Sequence, residues 1–294
     1  MANVLVIGNS NVDFVGISDE FLIKKQSNPG KINVFFGGVM KNVCENLARL
    51  GNKCTFITAI GSDLYGMQMK EYLNYLGINT IFPNTNLPSA TNLVINDSNR
   101  KIVAGICDPR IIDEITVPFI ESNTELIKTF DYIVLDSNLN EEVIAYIFNN
   151  FSNKNIVCEA ISPAKVLRFQ KYLDKIYLLK CNIGEAQTLM NISLSERDLV
   201  GGLLARGVKN VVVSNSSEDI YYGNDARDIG FVEVKKVTEY KSTSGCGAAL
   251  LSGVIDDLIQ NKSIKEAVSF GNELAALTLQ AEGPTSTDII KFKH

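Results

Sequence analysis

Short apolar runs rich in valine and isoleucine recur along the chain and alternate with segments of helical periodicity. Runs without polar alternation are typical of parallel strands that helices cover on both faces. The pattern therefore predicts an α/β fold with a mostly parallel central sheet. The predicted strands are Val4–Gly8, Cys54–Ile60, Tyr132–Asp136, Asn155–Glu159, Ile176–Cys181 and Asn210–Ser214.

Segments with apolar residues at helical spacing lie between and after these strands. Glycine follows two of them, at Gly51 and Gly207, where a helix commonly ends. The predicted helices are Val39–Leu50, Tyr65–Leu76, Glu141–Phe151, Gly184–Met190, Ser195–Arg206, Gly247–Gln260 and Ser263–Gln280.

Two stretches of the N-terminal half, residues 12–36 and 90–108, interrupt this alternation. In the second stretch, two alternating segments are joined by Asn96-Asp97-Ser98-Asn99, which favours a β-hairpin. We expect the two stretches to form a small β lid over one edge of a single domain that spans residues 1–294. No repeat, low-complexity tract or interdomain linker divides the sequence.

Composition and charge limit the classes of function. The 294 residues carry a net charge of -5 without any run of Lys or Arg, so we expect neither nucleic acid nor an anionic membrane surface as a partner. No apolar stretch approaches the ~20 residues of a membrane span, and the N-terminal residues do not resemble a signal peptide. We therefore expect a cytoplasmic protein.

Cysteine and histidine usage narrows the chemistry. The six cysteines form no C-x-x-C pair, and His294 is the only histidine. This argues against a zinc site and removes catalysis that depends on a Ser-His or Cys-His pair. We expect the cysteines to be reduced thiols.

Two polar motifs of the N-terminal part are candidates for binding hydroxyl groups. Asn11 and Asp13 stand two apart in an extended segment that follows the first strand, so their side chains point the same way. A polar turn is the alternative interpretation. Gly37 and Gly38 precede a helix that carries Asn42 one turn later, and such glycines expose backbone N–H groups to a ligand. Glycine is also common at helix starts that bind nothing.

Two further motifs are candidates for binding phosphate. Glu185 lies at the start of a helix, three residues after Asn182 and close behind a strand. A glutamate at this position can hold a Mg²⁺-bound water, or it can merely complement the helix dipole. The segment 245–247, Gly-Cys-Gly, opens a long apolar helix whose first N–H groups form an anion hole. It lacks the spacing of a Walker A or a Rossmann loop, and a tightly packed helix entry is the alternative.

Taken in this order, the motifs resemble those of the ribokinase (PfkB) superfamily over essentially the whole chain. The stretches 37–51, 135–139 and 161–165 look like its pseudouridine kinase branch in particular. The resemblance implies a ribokinase-like three-layer α/β fold with a small β lid that often mediates dimerisation, so a homodimer through the lid is expected. It also implies ATP and Mg²⁺ as cofactors and a sugar or nucleoside as the substrate.

The resemblance implies three groups of site residues. The expected substrate-binding residues are Asn11, Asp13, Gly37, Gly38 and Asn42. The expected residues of the nucleotide side are Asn182, Glu185, Ser214 and Asn272, with Glu185 on the Mg²⁺ side. The expected anion hole consists of Gly245, Cys246 and Gly247, and the catalytic base position that follows it is residue 248.

The sequence departs from the family pattern at that base position. Ala248 stands where the family has an aspartate, and a methyl group cannot accept the proton of the attacking hydroxyl. Loss of a positioned base costs ~10²–10⁴-fold in rate. Phosphoryl transfer depends largely on positioning and electrostatics, which is compatible with slow residual turnover.

A second departure lies in the turn Ser214–Asp219, which lacks both glycines of the family's T-L-G-x-x-G turn. We expect Ser216 and Asp219 to hinder the approach of a nucleotide. The leading hypothesis is an ATP-dependent phosphotransferase for a ribosyl compound such as pseudouridine, with activity weakened by Ala248. The alternative is a non-catalytic sensor that keeps the sugar or nucleoside pocket.

Overall fold

Strands and helices alternate over most of residues 3–294, which the computed structural model describes. The strands are β1 (Asn3–Ile7), β2 (Asn11–Ser18), β3 (Gly30–Gly37), β4 (Lys53–Ile57), β5 (Asn79–Ile81), β6 (Thr91–Asn96), β7 (Ile102–Asp108), β8 (Tyr132–Asp136), β9 (Asn155–Glu159), β10 (Leu178–Asn182), β11 (Asn210–Ser214), β12 (Ile220–Asn224) and β13 (Ile229–Val232).

The α-helices vary from a single turn to several turns in length. They are α1 (Val39–Arg49), α2 (Leu64–Tyr75), α3 (Val117–Ser122), α4 (Thr124–Ile127), α5 (Glu141–Asn150), α6 (Pro163–Val166), α7 (Ile183–Met190), α8 (Glu196–Ala205), α9 (Cys246–Ile259) and α10 (Ile264–Leu279). Shorter 3₁₀ segments cover Arg110–Glu114, Leu167–Lys175 and Thr287–Phe292.

The central sheet contains nine strands in the order β13-β12-β11-β10-β9-β8-β1-β4-β5. The strands from β11 to β5 run parallel, and only the pairs β11–β12 and β12–β13 are antiparallel. The carboxyl ends of the parallel strands therefore lie along one edge, which is where ligands of open α/β sheets bind.

Both faces of the central sheet are buried, because alternate residues of each strand contact different helix layers. In β8, Ile133 and Leu135 pack in a cluster with α5, α7 and α8, whereas Val134 packs with α1, α2, α9 and α10. This arrangement confirms the expected three-layer α/β fold with a mostly parallel sheet.

The predicted elements differ from the observed ones mainly at their ends. The predicted strand Cys54–Ile60 ends at Ile57, and the predicted strand Ile176–Cys181 begins only at Leu178 and extends to Asn182. The sequence pattern did not identify β5, β12 and β13, which are short and lie at or near the edges of the sheet.

A second sheet of four strands has the order β3-β2-β6-β7 and comes from the stretches 12–36 and 90–108, the first of which it extends by one residue at each end. Its register places Asp13 beside Asn92 and Asn92 beside Cys107 on one face. That face turns toward the carboxyl edge of the central sheet, because these residues line a cleft together with residues of that edge.

A buried charge cluster links α1 to α2 and to the C-terminal segment. The carboxylate of Glu45 accepts hydrogen bonds from Lys41, Arg49, Tyr72 and Thr285 at 2.7–3.0 Å. Burial alone disfavours the ionised form, but the nearby cations and donors outweigh it and lower the pKa of Glu45 to about 2. The cluster stabilises the helix that carries Asn42.

Candidate active site

A cleft of about 450 Å³ lies where the carboxyl edge of the central sheet faces the second sheet and the first turn of α9. Its volume is within the range of small-molecule sites. The cleft brings together predicted residues that are far apart in the sequence, namely Asn11, Asp13, Gly38, Asn42, Gly245, Gly247 and Ala248.

Another cleft, of about 470 Å³, lies between Arg100, residues 237–241 and Gln280. The guanidinium of Arg100 donates a hydrogen bond of 2.8 Å to the backbone carbonyl of Lys241 there. None of the predicted site residues lines this second cleft. The first cleft is therefore the candidate active site.

Asp13 is held on β2 by two amide groups. The Nδ2 atoms of Asn11 and Asn92 donate hydrogen bonds of 2.7 and 3.0 Å to Asp13 Oδ1. Burial raises the pKa of Asp13, while the two amides and the charge of Lys41 oppose the change. The amides engage only Oδ1, so Oδ2 is available to a ligand.

Gly37 and Gly38 set the path of the chain into α1. A Cβ atom at Gly37 would overlap Asp13 Oδ2, so only glycine leaves that oxygen accessible. Gly38 has a φ of 97°, a conformation that favours glycine. One turn later, the buried Oδ1 of Asn42 has no hydrogen-bond partner among the described residues. A buried acceptor of this kind favours a ligand hydroxyl in the cleft.

The first turn of α9 forms the opposite wall of the cleft. Gly245 caps the helix with a φ of 83°, and a Cβ atom there would overlap the carbonyl oxygen of Pro284. The helix is long enough to present its N–H groups and dipole to an anion. Burial raises the pKa of the Cys246 thiol to about 11, so this residue does not supply a thiolate. The methyl group of Ala248 lines the cleft.

Two charged residues that the sequence analysis did not select lie next to this turn. The ammonium of Lys180 donates a hydrogen bond of 2.5 Å to Oε1 of Glu159. The same Nζ atom lies 2.9 Å from the position that a Cβ atom of residue 247 would occupy. Glu159 lines the cleft, and its buried Oε2 has no partner among the described residues. Burial raises the pKa of Glu159 to about 8, against the effect of Lys180.

Each of these residues left a signal in the sequence. Glu159 is the last residue of β9, at the sheet edge where ligands bind. Lys180 is a lone charge within the apolar run 176–181, and a lysine in a buried strand needs a partner.

The residues predicted for the nucleotide side lie outside the lining of the cleft. Asn182 and Glu185 form a capping box at the start of α7, with hydrogen bonds of 2.7 and 2.9 Å. Burial raises the pKa of Glu185. Ser214 pairs with Asn182 in the register of β10 and β11, so both lie at the same sheet edge.

Asn272 of α10 contacts the segment after β13. Its Nδ2 donates a hydrogen bond of 2.9 Å to the carbonyl of Glu233, and its Oδ1 accepts one of 3.3 Å from the N–H of Lys235. Both ends of the amide are thus engaged by the backbone.

The turn between β11 and β12 adopts a left-handed conformation without glycine. Ser216 has a φ of 51°, which is uncommon for a residue with a side chain. The N–H of Glu218 donates to the carbonyl of Asn215, whose Nδ2 donates to Glu196 at 2.9 Å. That Ser216 and Asp219 hinder a nucleotide stays a prediction.

No group of three or more His, Cys, Asp or Glu side chains within residues 3–294 is arranged to hold a metal ion. Glu185 is a single carboxylate in the first turn of α7, directly after β10, which fits the usual way of holding Mg²⁺ with one or two carboxylates, phosphate oxygens and water. In the same part of the chain, no helix combines the length and apolar character needed to cross a bilayer.

Comparison with known proteins identifies related sequences over almost the whole chain. Residues 1–290 match the family described as pfkB family carbohydrate kinase. The pseudouridine kinase of Escherichia coli strain K12 is 31% identical, over 97% of this chain and 93% of its own length. The guanosine-inosine kinase of Exiguobacterium acetylicum is 26% identical over 94% of both chains.

Solved structures agree with the fold. A carbohydrate kinase from Agrobacterium tumefaciens superposes with a TM-score of 0.85 at 25% identity and covers 99% of this chain and 96% of its own. Ribokinase from Arabidopsis thaliana, solved with ribose and ATP, gives a TM-score of 0.79 at 17% identity, covers 99% of this chain and 98% of its own, and supports the fold alone. The resemblance inferred from the motifs is thus confirmed, and the chain belongs to the pfkB family of carbohydrate kinases.

Proposed function

We propose that the chain transfers the γ-phosphate of ATP to a hydroxyl of a ribosyl nucleoside, with pseudouridine as the first candidate. One observation carries this proposal: Asp13, Asn42 and the first turn of α9 line a single cleft. The family of the chain and its similarity to a pseudouridine kinase support it.

The sugar end of the cleft has groups suited to neighbouring hydroxyls. Asp13 offers the free Oδ2 of a carboxylate whose other oxygen is fixed by two amides. Asn42 adds a buried acceptor oxygen without a partner among the described residues. A hydroxyl hydrogen bond contributes about 1.5–3 kcal/mol to a charged acceptor such as Asp13 and about 0.5–1.5 kcal/mol to a neutral one such as Asn42, so these contacts select for a polyol.

The cleft also has room for a base. Beyond Asp13 it is lined by the apolar side chains of Pro109 and Ile161 and by Asn138 and Lys165. The ammonium of Lys165 donates a hydrogen bond of 2.7 Å to Asn138 Oδ1 and has further donors for a ligand carbonyl. This combination favours a ribose that carries a flat, carbonyl-bearing ring such as uracil over ribose itself.

The anion end would bind the phosphate that is transferred. The N–H groups of the first turn of α9 and the ammonium of Lys180 both favour negative charge there. Asn182 and Ser214 at the ends of β10 and β11, and Glu185 in the first turn of α7, would hold the nucleotide side. Mg²⁺, when bound, would neutralise phosphate charge, with Glu185 holding it through water.

We further propose that turnover is weakened by Ala248. The experiment is ADP release from Mg-ATP with pseudouridine, other nucleosides and ribose, for the native chain, Ala248→Asp and Ala248→Asn. Asparagine matches aspartate in size but is not a base at neutral pH. We expect only Ala248→Asp to raise turnover, because only aspartate adds a base at the position where the family has one. An equal gain in both variants would refute the idea that a missing base at residue 248 weakens turnover.

The second candidate is a sensor that binds a nucleoside without phosphorylating it. Two observations favour it: Ala248 lacks a base, and Ser216 occupies a left-handed position where the family turn has glycine. Thermal shift separates the candidates. A rise in Tm with nucleosides but none with Mg-ATP favours the sensor, whereas a rise with each favours the kinase.

We also propose that a second copy of the chain covers the outer face of the second sheet. The register of β3, β2, β6 and β7 aligns Val34, Phe14, Leu93 and Ile106 across this face. Ile32, on the same face, is 75% exposed and Ile106 is 71% exposed. A continuous apolar surface of this kind is typical of a protein interface.

A further inference from the structure

In the candidate active site, one carboxylate oxygen of Glu159 lacks a hydrogen-bond partner among the described residues. Its side chain is 5% exposed and stands at the end of β9. Oε1 accepts the hydrogen bond from Lys180, but Oε2 has no partner among the described residues although it is buried. Native proteins rarely leave a buried carboxylate oxygen unpaired, so a ligand donor in the cleft is the natural partner.

We propose that Glu159 accepts the proton of the attacking hydroxyl in this chain, the role for which Ala248 has no suitable group. This inference rests on the proposed kinase function and adds one residue to it. Glu159 is the last residue of β9, whereas residue 248 lies on α9, and both line the same cleft.

The position of Lys180 ties Glu159 to the phosphate end of the cleft. The Nζ atom of Lys180 is 2.5 Å from Glu159 Oε1 and 2.9 Å from where a Cβ of residue 247 would lie. One ammonium group therefore separates the carboxylate from the first turn of α9. Residue 248 belongs to the same turn, and it lines the same cleft as Glu159.

Asp13 is the other carboxylate that lines the cleft. The amides of Asn11 and Asn92 both donate to its Oδ1 and fix its orientation on the second sheet. This arrangement is suited to holding substrate hydroxyls. Glu159 is held by a single donor and lies beside the phosphate-binding turn, which suits proton transfer at the reacting hydroxyl.

Glu159, the substrate hydroxyl and ATP account for every proton and electron pair that moves in this step. The O–H bond of the substrate breaks, and its proton passes to Glu159 Oε2. The substrate oxygen forms a bond to the γ-phosphorus of ATP, while the bond from that phosphorus to the bridging oxygen breaks. ADP leaves with the electron pair of that bond. Glu159 then releases its proton to water, and Lys180 stays protonated throughout.

The charges around Glu159 suit a base that works near neutral pH. Burial raises the pKa of Glu159 to about 8; Lys180 on β10 opposes this, and the carboxylates of Glu185 on α7 and Asp136 on β8 add to it. A base is most effective when its pKa lies near the working pH. We therefore expect kcat/KM to rise with pH, to be half-maximal near pH 8 and to level off above it.

The experiment measures kcat, the pH profile and the Kd of pseudouridine by calorimetry for the native chain, Glu159→Gln, Ala248→Asp and the double variant. We expect Glu159→Gln to lower kcat by ~10²–10⁴-fold, to abolish the rise toward pH 8 and to leave Kd within about threefold. Ala248→Asp should restore turnover in the Glu159→Gln background. Glu141→Gln, an exposed substitution on α5, is the control with native activity.

Glu159→Gln leaves the ammonium of Lys180 without its carboxylate, so folding is checked by thermal denaturation. If the single variant does not fold, Glu159→Gln with Lys180→Met removes both charges and takes its place. The inference is overturned if kcat stays within about threefold of the native value. It is also overturned if the native chain is inactive while Ala248→Asp is active. If neither turns over any sugar or nucleoside, the proposed kinase function fails as well.

Discussion

The ammonium of Lys180 and the carboxylate of Glu159 lie 2.5 Å apart beside the first turn of α9, on neighbouring strands of the central sheet. The pair combines a cation near a helix N-terminus with a carboxylate oxygen that has no partner among the described residues. A cation and a helix dipole both attract an anion, and the carboxylate is positioned for a hydroxyl. The place where a phosphate would meet a hydroxyl thus has both kinds of group.

Asp13→Asn is expected to weaken nucleoside binding. An amide at residue 13 would present an N–H group to the amides of Asn11 and Asn92 and would remove the charged acceptor. Loss of hydrogen bonds to a charged group costs about 1.5–3 kcal/mol, which is roughly a 10–100-fold rise in Kd. Calorimetric titration with pseudouridine measures this Kd. Asp108→Asn, on the same sheet but paired only with Arg110, is the control, and equal losses in both variants would contradict the assignment.

Glu45 is expected to make the stability of the chain depend on pH in the acid range. Its pKa is about 2 in the folded chain and 4.5 ordinarily, so the unfolded chain takes up a proton first as the pH falls. The resulting stabilisation, about 3 kcal/mol, is complete above about pH 5 and is lost progressively between pH 4.5 and 2.

Urea unfolding of the native chain and of Glu45→Gln at pH 6 and pH 3 tests this. We expect the variant to be destabilised by about 3–5 kcal/mol at pH 6, because Lys41 and Arg49 lose their common partner. The difference between the two proteins should shrink at pH 3. A difference that stays constant with pH would show that folding does not lower the pKa of Glu45.

Ser216→Gly is expected to stabilise the chain. Ser216 has a φ of 51°, and glycine adopts this left-handed conformation without the steric cost of a Cβ. Glycine also loses more backbone entropy when the chain folds, which offsets part of this effect. We therefore expect the free energy of unfolding to rise by up to about 1 kcal/mol. Chemical denaturation measures the change in the free energy of unfolding. Ser217→Gly is the control, because Ser217 has a negative φ. A gain in the control as large as in the variant would exclude strain at Ser216.

Ile32→Lys is expected to separate a dimer into single chains. Ile32 is exposed on the apolar outer face of the second sheet. In a dimer that covers this face, a lysine at residue 32 would be buried without a partner for its charge. Light scattering after size-exclusion chromatography should give twice 32.3 kDa for the native chain and 32.3 kDa for the variant. Ile290→Lys, exposed elsewhere, is the control that should keep the native mass. A native chain of single mass at micromolar concentration would contradict the proposed interface.

Much of the fold is predictable because the central strands are buried on both faces. Segments such as 132–136 then carry a continuous apolar signal. The edge strand β13 has no such signal, because none of its four residues is fully buried. Asn11, Asp13 and Asn42 are predictable as a group, because strand and helix periods fix where neighbouring side chains point.

Glu159 and Lys180 are harder to predict. They are 21 residues apart and meet only because β9 and β10 are adjacent in the sheet. Sheet order is not contained in the local sequence pattern. The partners of Asn272, at residues 233 and 235, likewise depend on how α10 packs against the end of β13.

The most direct test of the proposed function is the product itself. The native chain is incubated with Mg-ATP and pseudouridine, and ³¹P NMR follows the phosphate signals. We predict that a phosphate monoester of the nucleoside and ADP appear in equal amounts, at a low rate that Ala248→Asp raises. The account is contradicted if pseudouridine, other nucleosides and ribose all give no phosphate monoester with either protein.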